Sequence, residues 1–379
     1  MPSQPSLISP DDQKVTFVEL FFDLVFVFCV TQVVHLLHGH FGAGAIGSAL
    51  LVFWLVWWAW TQFTWALNAA NTEHTHVQIA TMIATAVAFF LAVGIPQAIG
   101  ANALWFALPY VLVRVVGLLI YYWVASEDEG LRRAVIVFGS LSLTGLAAVL
   151  VGATLGGPAQ YWFWALAIVL DLVAAGIGGQ REGWNLHPDH FCERHGLIVI
   201  IALGEALIVA ASGLGDAAHD AHAIATAVLT VGVTGGLWWS YFGHARHTFE
   251  HALAHAQGNA RSRMARDMYS VMHFPMLCGV IAMSAATGDA LAHPHEPLAL
   301  GARVALGGGA VLFVVGGAAA IWRATGDVLV WRSVLAPVFA AVMIAVGGAP
   351  WLSMGLVLAM LIAVAAIEQG VKPYTAHAS

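Results

Sequence analysis

Glu19 and Asp23 stand four residues apart in a segment that is otherwise apolar, Thr16-Phe-Val-Glu19-Leu-Phe-Phe-Asp23-Leu-Val-Phe-Val-Phe-Cys-Val-Thr31. On a helix, positions i and i+4 share a face, so the two carboxylates address one place. Carboxylates so close repel unless a cation, a proton or an Arg lies between them. Their chemistry is that of a cation or proton site, or of one half of a buried ion-pair network. A structural pair satisfied by Arg or by helix N-termini is the other reading. Thr31 and His35 follow on the same helix, but a turn of about 100° per residue carries them off that face.

Arg114 lies near the middle of a later apolar block, flanked by Tyr110 and Tyr121. Arg keeps its charge in any protein environment, so it must face a carboxylate or a polar cavity. Asp171, Glu205, Glu19 and Asp23 are the available partners. Four carboxylates against one central Arg leave an acidic excess, which favours a bound cation or proton over an anion. A third group opens the seventh block: His187-Pro-Asp189-His190-Phe-Cys192-Glu193-Arg194-His195-Gly196. Carboxylates near a helix N-terminus are favoured by its dipole, so capping accounts for part of it. A polar gate at a membrane mouth is the functional reading, with His190, Glu193 and Arg194 as its members. The ligand types for a metal are present, yet their spacing matches no standard site and HExxH is absent. No metal is expected. Trp57, Trp58, Tyr110 and Trp238 are candidates to line an aromatic cavity, packing being the alternative. Asn68 and Asn71 end the second block and are placed to meet head groups or substrate. No Walker loop, GxSxG or nucleophile constellation occurs, which argues against an enzyme.

These residues must be positioned by membrane helices. The 379 residues are 60% hydrophobic and 9% charged, with mean hydropathy +0.81, whereas soluble domains carry about 25% charged residues. A charge at the centre of a membrane helix costs about 2.5–3.5 kcal/mol on insertion scales, so intramembrane ionisable groups are functional suspects. A net charge of −7 argues against nucleic acid, which selects basic surfaces. Three cysteines, with no CxxC, support neither a zinc ribbon nor a disulfide framework. The N-terminus lacks a signal-peptide pattern, so the first span is expected to be retained.

Blocks of about 20 apolar residues, the length that crosses a bilayer, fall near 15–37, 46–68, 77–95, 101–124, 134–154, 161–179, 195–213, 222–243, 268–287, 299–321, 328–347 and 350–367. The expected fold is an all-α polytopic transmembrane bundle of about 12 spans. With that count, Lys14, Arg132, Arg133, Arg181, Arg194, Arg246, Arg261, Arg263, Arg266, Arg323 and Lys372 share the side of the N-terminus. The positive-inside rule then puts both termini in the cytoplasm. The division reads as a cytoplasmic tail 1–14, a six-span half 15–180, a second half 181–367 and a cytoplasmic tail 368–379. Within the second half, 244–267 is a basic, His-rich loop whose His244, His247, His251 and His255 would line one helical face. The halves echo each other in Trp57-Trp58-Ala59-Trp60 and Trp238-Trp239-Ser240-Tyr241, and in Arg114 and Arg303. Two parallel six-helix repeats are the arrangement this suggests. The glycine-rich stretch 307–317 reads as close helix packing.

Val18-Glu-Leu-Phe-Phe-Asp-Leu-Val-Phe-Val27 with Thr31-Gln32, Trp57-Trp58-Ala-Trp60-Thr61, Tyr110-Val-Leu-Val-Arg114, and His190-Phe-Cys192-Glu193-Arg194-His195-Gly196-Leu197 with Ile201-Ala-Leu-Gly204-Glu205 resemble the bacterial low temperature requirement protein A (LtrA) family over nearly the whole chain. Cys192 stands where that family is expected to carry a small residue, which weakens a cysteine-based role. The resemblance implies a multi-pass protein of the bacterial cytoplasmic membrane linked to growth at low temperature, with no settled biochemical activity. Phe22-Asp23-Leu24-Val25-Phe26 followed by Thr31 is also similar to the first-span pattern of FSD-motif potassium channels. Phe22 stands where their serine would be, and Glu19 near their arginine. Three functions are compatible. The favoured one is an ion-coupled or small-solute transporter with a buried acidic/Arg site. A cation channel, built as a homo-oligomer, and a membrane enzyme or sensor with a cytoplasmic-face polar site around His190, Glu193 and Glu19 are the alternatives. The expected partners are the lipid bilayer and a small solute, cation or proton. Nothing in the sequence names a cofactor or the substrate.

Overall fold

A backbone surrounded by hydrocarbon must satisfy its own N–H and C=O groups, and a helix does so within one segment. The apolar blocks accordingly form helices. The computed structural model describes residues 6–10, 12–178, 184, 186–216 and 220–370. Among them are twelve helices and no strand. They are α1 (Phe17–Leu37), α2 (Ala43–Ala69), α3 (Thr75–Gly94), α4 (Leu104–Val124), α5 (Glu129–Leu155), α6 (Gly157–Gly178), α7 (Pro188–Asp216), α8 (Ala221–His255), α9 (Gly258–Ala292), α10 (Leu300–Thr325), α11 (Val330–Val346) and α12 (Pro350–Gly370). Eleven are long and apolar enough to cross a membrane. The exception, α11, has 17 residues and reaches about 26 Å. The chain is thus an all-α polytopic bundle. The expected join of the sequence halves at 180–181, Arg181, and the tail beyond 370 with Lys372 lie outside the described residues.

The polar stretch 244–267 is largely helical, because α8 and α9 run on for 35 residues each. At 1.5 Å per residue each is about 52 Å long, well beyond a hydrocarbon core of about 30 Å. Each contains a π-helical stretch, Trp239–Ala245 in α8 and Arg266–Val271 in α9. Such insertions are over-represented at functional sites.

The chain divides into two compact units. One comprises Met1–Val33, Leu50–His195 and Ala254–Arg266, the other Val34–Ala49, Gly196–Leu253 and Asp267–Ser379. In the first, the core is aromatic. Phe22 stacks on Phe63 with centroids 4.5 Å apart, Trp57 on Trp60 at 5.0 Å, and Trp164 is fully buried with its indole N–H donating to the Val149 carbonyl. In the second, helices touch through small residues. A Cβ on Gly309 would come within 2.6 Å of the Gly279 carbonyl, so α9 and α10 approach backbone to backbone. Outward-facing Leu24, Ile83, Phe90, Trp105, Leu119 and Trp162 are exposed, an apolar exterior suited to lipid.

Candidate functional site

The first turn of α1 places Glu19. Thr16 precedes the helix, and the Glu19 carboxylate reaches back to accept both the Thr16 N–H and its hydroxyl, each at 3.0 Å. That is the backward half of a capping box, so Glu19 is held by its own helix end. One turn on, Asp23 projects from the same face. α7 supplies a second i, i+4 pair, His190 and Arg194. The Arg194 guanidinium bonds both acids, Glu19 at 3.3 Å and Asp23 through a short contact, and lies over the Trp60 ring with its carbon 5.6 Å from the centroid. His190 Nε2 lies 3.0 Å from Glu19. From α2, the Trp60 indole N–H donates to Asp23 Oδ1 at 2.8 Å. All five side chains are buried, none more than 1% exposed.

The last turn of α2 orients the histidine. The Asn68 amide oxygen accepts the His187 backbone N–H at 2.9 Å, and its nitrogen donates to the His187 carbonyl at 3.0 Å. This double contact fixes which end of the amide is nitrogen. The second N–H of that nitrogen meets His190 Nδ1 at 3.0 Å. Nδ1 is therefore an acceptor, and Nε2 carries the hydrogen that points at Glu19.

Two carboxylates then face one guanidinium and a neutral imidazole, leaving one negative charge in excess. The two acids differ in how they are held. Glu19 accepts bonds from Thr16, His190 and Arg194 on its two oxygens. Asp23 uses only Oδ1, and its Oδ2 is buried with no hydrogen-bond partner among the described residues. A buried carboxylate oxygen left so is costly, and a proton relieves it.

A separate, balanced pair lies at mid-span. Arg114 on α4 is bidentate to Asp171 on α6, at 2.8 and 3.2 Å, and donates to the Tyr110 hydroxyl at 2.6 Å and to Gln62 Oε1. Gln62 returns a bond to the Arg114 carbonyl at 2.9 Å. Asp171, one of the four acids offered to Arg114 by the sequence, thus neutralises it. Tyr110 is a ligand of the guanidinium as well as a ring beside it.

The remaining candidates sit elsewhere. Glu193 is exposed and accepts the Val15 N–H at 3.4 Å, because the α7 face that buries His190 and Arg194 turns it outward. Glu205 is buried on the part of α7 in the second unit. Trp57 and Trp58 are buried in the aromatic core, while Trp238 is 44% exposed and stacks on Phe242. An outward ring does not line an interior cavity, so Trp238 departs from that expectation. Arg303, expected to echo Arg114, instead donates to the Ile344 carbonyl from the first turn of α10. The second unit has a buried pair of its own. Arg332 is bidentate to Glu368 and donates to the Ser240 carbonyl in the α8 π stretch. Sequence reasoning did not assign Thr16, Trp60, Gln62 or Glu368 to any polar site. A polar side chain inside an apolar helix was the available signal for Gln62.

A family model described as bacterial low temperature requirement A protein (LtrA) matches residues 14–367. An uncharacterised protein of Rhizobium meliloti (strain 1021) is 24% identical over 314 residues, covering 80% of this chain and 76% of its own length. No solved structure matches. The match spans both i, i+4 pairs of the buried cluster and eleven of the twelve helices in full, and on that extent the chain belongs to the LtrA family of bacterial membrane proteins.

Proposed function

We propose that this LtrA-family membrane protein is a proton-coupled transporter of a small solute, with Asp23 as the group that carries the proton. The observation behind this reading is the buried Oδ2 of Asp23, without a hydrogen-bond partner among the described residues, in a cluster with one negative charge in excess. Arg194 keeps its charge, so the excess is relieved on a carboxylate. Glu19 is saturated by Thr16, His190 and Arg194, which leaves Asp23. A metal cation needs several oxygen ligands, whereas the groups on the other Asp23 oxygen are N–H donors from Trp60 and Arg194. A proton needs one lone pair. Its arrival turns the carboxylate into a carboxylic acid and weakens the tie between α1 and α7 at Asp23, while Arg194 keeps Glu19. Loosening and retying of that contact is the proposed link to a change of access.

The test is a growth and spectroscopic pair. Asp23→Asn keeps the shape and the Trp60 contact but cannot take up the proton. It should abolish cold-growth complementation at normal membrane abundance, and it should remove a protonated-carboxyl infrared band that wild-type protein gains on acidification. Full complementation together with an unchanged band would end the proposal. We further infer that the protein lies in the cytoplasmic membrane with both termini inside, from the one-sided Lys and Arg. Reporter fusions at Asp128 and Gly258 should be cytoplasmic, and those at Gly100 and Gly156 external.

A further inference from the structure

We propose that Asp220, His222 and His295 form a binding site for one first-row divalent transition-metal ion, zinc being the best fit. The proposal is independent of the transport reading. All three residues belong to the second unit. Asp220 immediately precedes α8 and caps it, its Oδ1 accepting the N–H groups of His222 at 2.9 Å and Ala223 at 2.8 Å. Capping occupies that oxygen and fixes the plane of the carboxylate. The other oxygen, Oδ2, lies 2.6 Å from Nε2 of His295. His295 comes from the connection between α9 and α10, 75 positions along the chain. The His222 ring stands edge-on to that of His295 with centroids 4.8 Å apart. One ligand atom from each of the three residues falls within 4.8 Å of the others.

The donor set decides the class of ion. Two imidazoles and one carboxylate suit zinc and its first-row neighbours rather than calcium or magnesium, which take oxygens. Metal–ligand bonds of about 2.0–2.2 Å put tetrahedral ligand atoms about 3.3 Å apart. His222 is exposed, so rotation about its side-chain bonds can bring its nitrogen in. The ion would take the place of the hydrogen bond between Asp220 and His295. The backbone N–H groups on Oδ1 act as an outer shell that holds the carboxylate in place, a feature that strengthens metal sites. Capping alone accounts for one oxygen of Asp220. It does not account for the His295 imidazole, 75 positions along the chain, meeting the other oxygen with the His222 ring standing against it. Both connections follow an odd-numbered helix, and on the proposed topology they face away from the cytoplasm. A bound ion would fasten the start of α8 to the α9–α10 connection.

The test uses full-length protein without a histidine tag, purified in detergent and stripped with a chelator. Zinc alone, and cobalt as a visible-absorption probe, are titrated in. Wild type should bind one equivalent with a cobalt spectrum of tetrahedral or five-coordinate character, and zinc should raise its melting temperature. Asp220→Asn retains the amide-accepting oxygen that caps α8 but removes the anionic ligand. His222→Ala and His295→Ala each remove an imidazole from an exposed position. Each variant should bind at least tenfold more weakly, with gel-filtration profile and helical content unchanged. Equal affinity in Asp220→Asn and in the double variant His222→Ala/His295→Ala would overturn the site, as would zinc uptake that persists at several weak positions in both. Should a histidine variant unfold, loss of the zinc-dependent melting shift in Asp220→Asn decides the matter by itself.

Discussion

The side-chain amide of Asn68 sets the hydrogen on His190. Its nitrogen meets Nδ1 at 3.0 Å while its oxygen is occupied by the His187 N–H. The imidazole is thereby the Nε2–H tautomer, aimed at Glu19 3.0 Å away. The charge count of the cluster follows from this one contact, because it removes the histidine as a source of positive charge. In selectively ¹⁵N-His-labelled protein, His190 should show a single Nε2–H tautomer. Asn68→Leu should populate both tautomers, and weaken the Glu19 contact. A wild-type spectrum with Nδ1 protonated would contradict the charge count.

The Arg114–Asp171 pair is expected to be structural. The two opposite charges meet in a bidentate pair, and both side chains are buried. Arg114→Ala leaves a buried carboxylate alone and should cost about 3–5 kcal/mol, read as a lowered unfolding midpoint in detergent. Arg114→Met with Asp171→Leu removes both charges, and should recover most of that loss. A double variant as unstable as the single one would show that the pair does more than cancel itself.

Asp220 gives the start of α8 a pH dependence. The Ala223 N–H holds its carboxyl below the usual carboxylate range, with His295 adding to the effect. A group whose folded value is depressed contributes stability above its unfolded value, about 3.9, and loses it as pH falls through the folded value. Protection of the His222 and Ala223 amides, their exchange measured against the rate of an unstructured amide at the same pH, should thus be full at neutral pH and fall only in strong acid. Asp220→Ala should lower that protection at every pH, whereas Asp220→Asn should keep the cap and remove the loss of protection in acid.

Composition and block length by themselves determined the membrane class, the all-helical fold and the approximate number of crossings. Hydrocarbon leaves an apolar chain few options, and helix formation is local, so it can be read from about 20 consecutive residues. Helical spacing also put Glu19 with Asp23 on one face, since i, i+4 neighbours need no tertiary information. Charge cost marked Arg114 as a residue that must be paired. Which acid it pairs with was decided by the packing of α4, α6 and the Gln62 face of α2, and four candidates were equivalent until then. Glu193 and Arg194 are adjacent in sequence, yet only the guanidinium is buried among acids, because the burial of a helix face depends on its neighbours. By sequence alone Trp60 is a packing or cavity-lining ring, Asn68 a span-end residue placed to meet head groups or substrate, and Thr16 has no assigned role. Their roles as donors to Asp23, His190 and Glu19 exist only once α1, α2 and α7 lie together. Asp220 and His295, the proposed ligands, are a further case: they stand 75 positions apart, and only the fold brings them within hydrogen-bond distance.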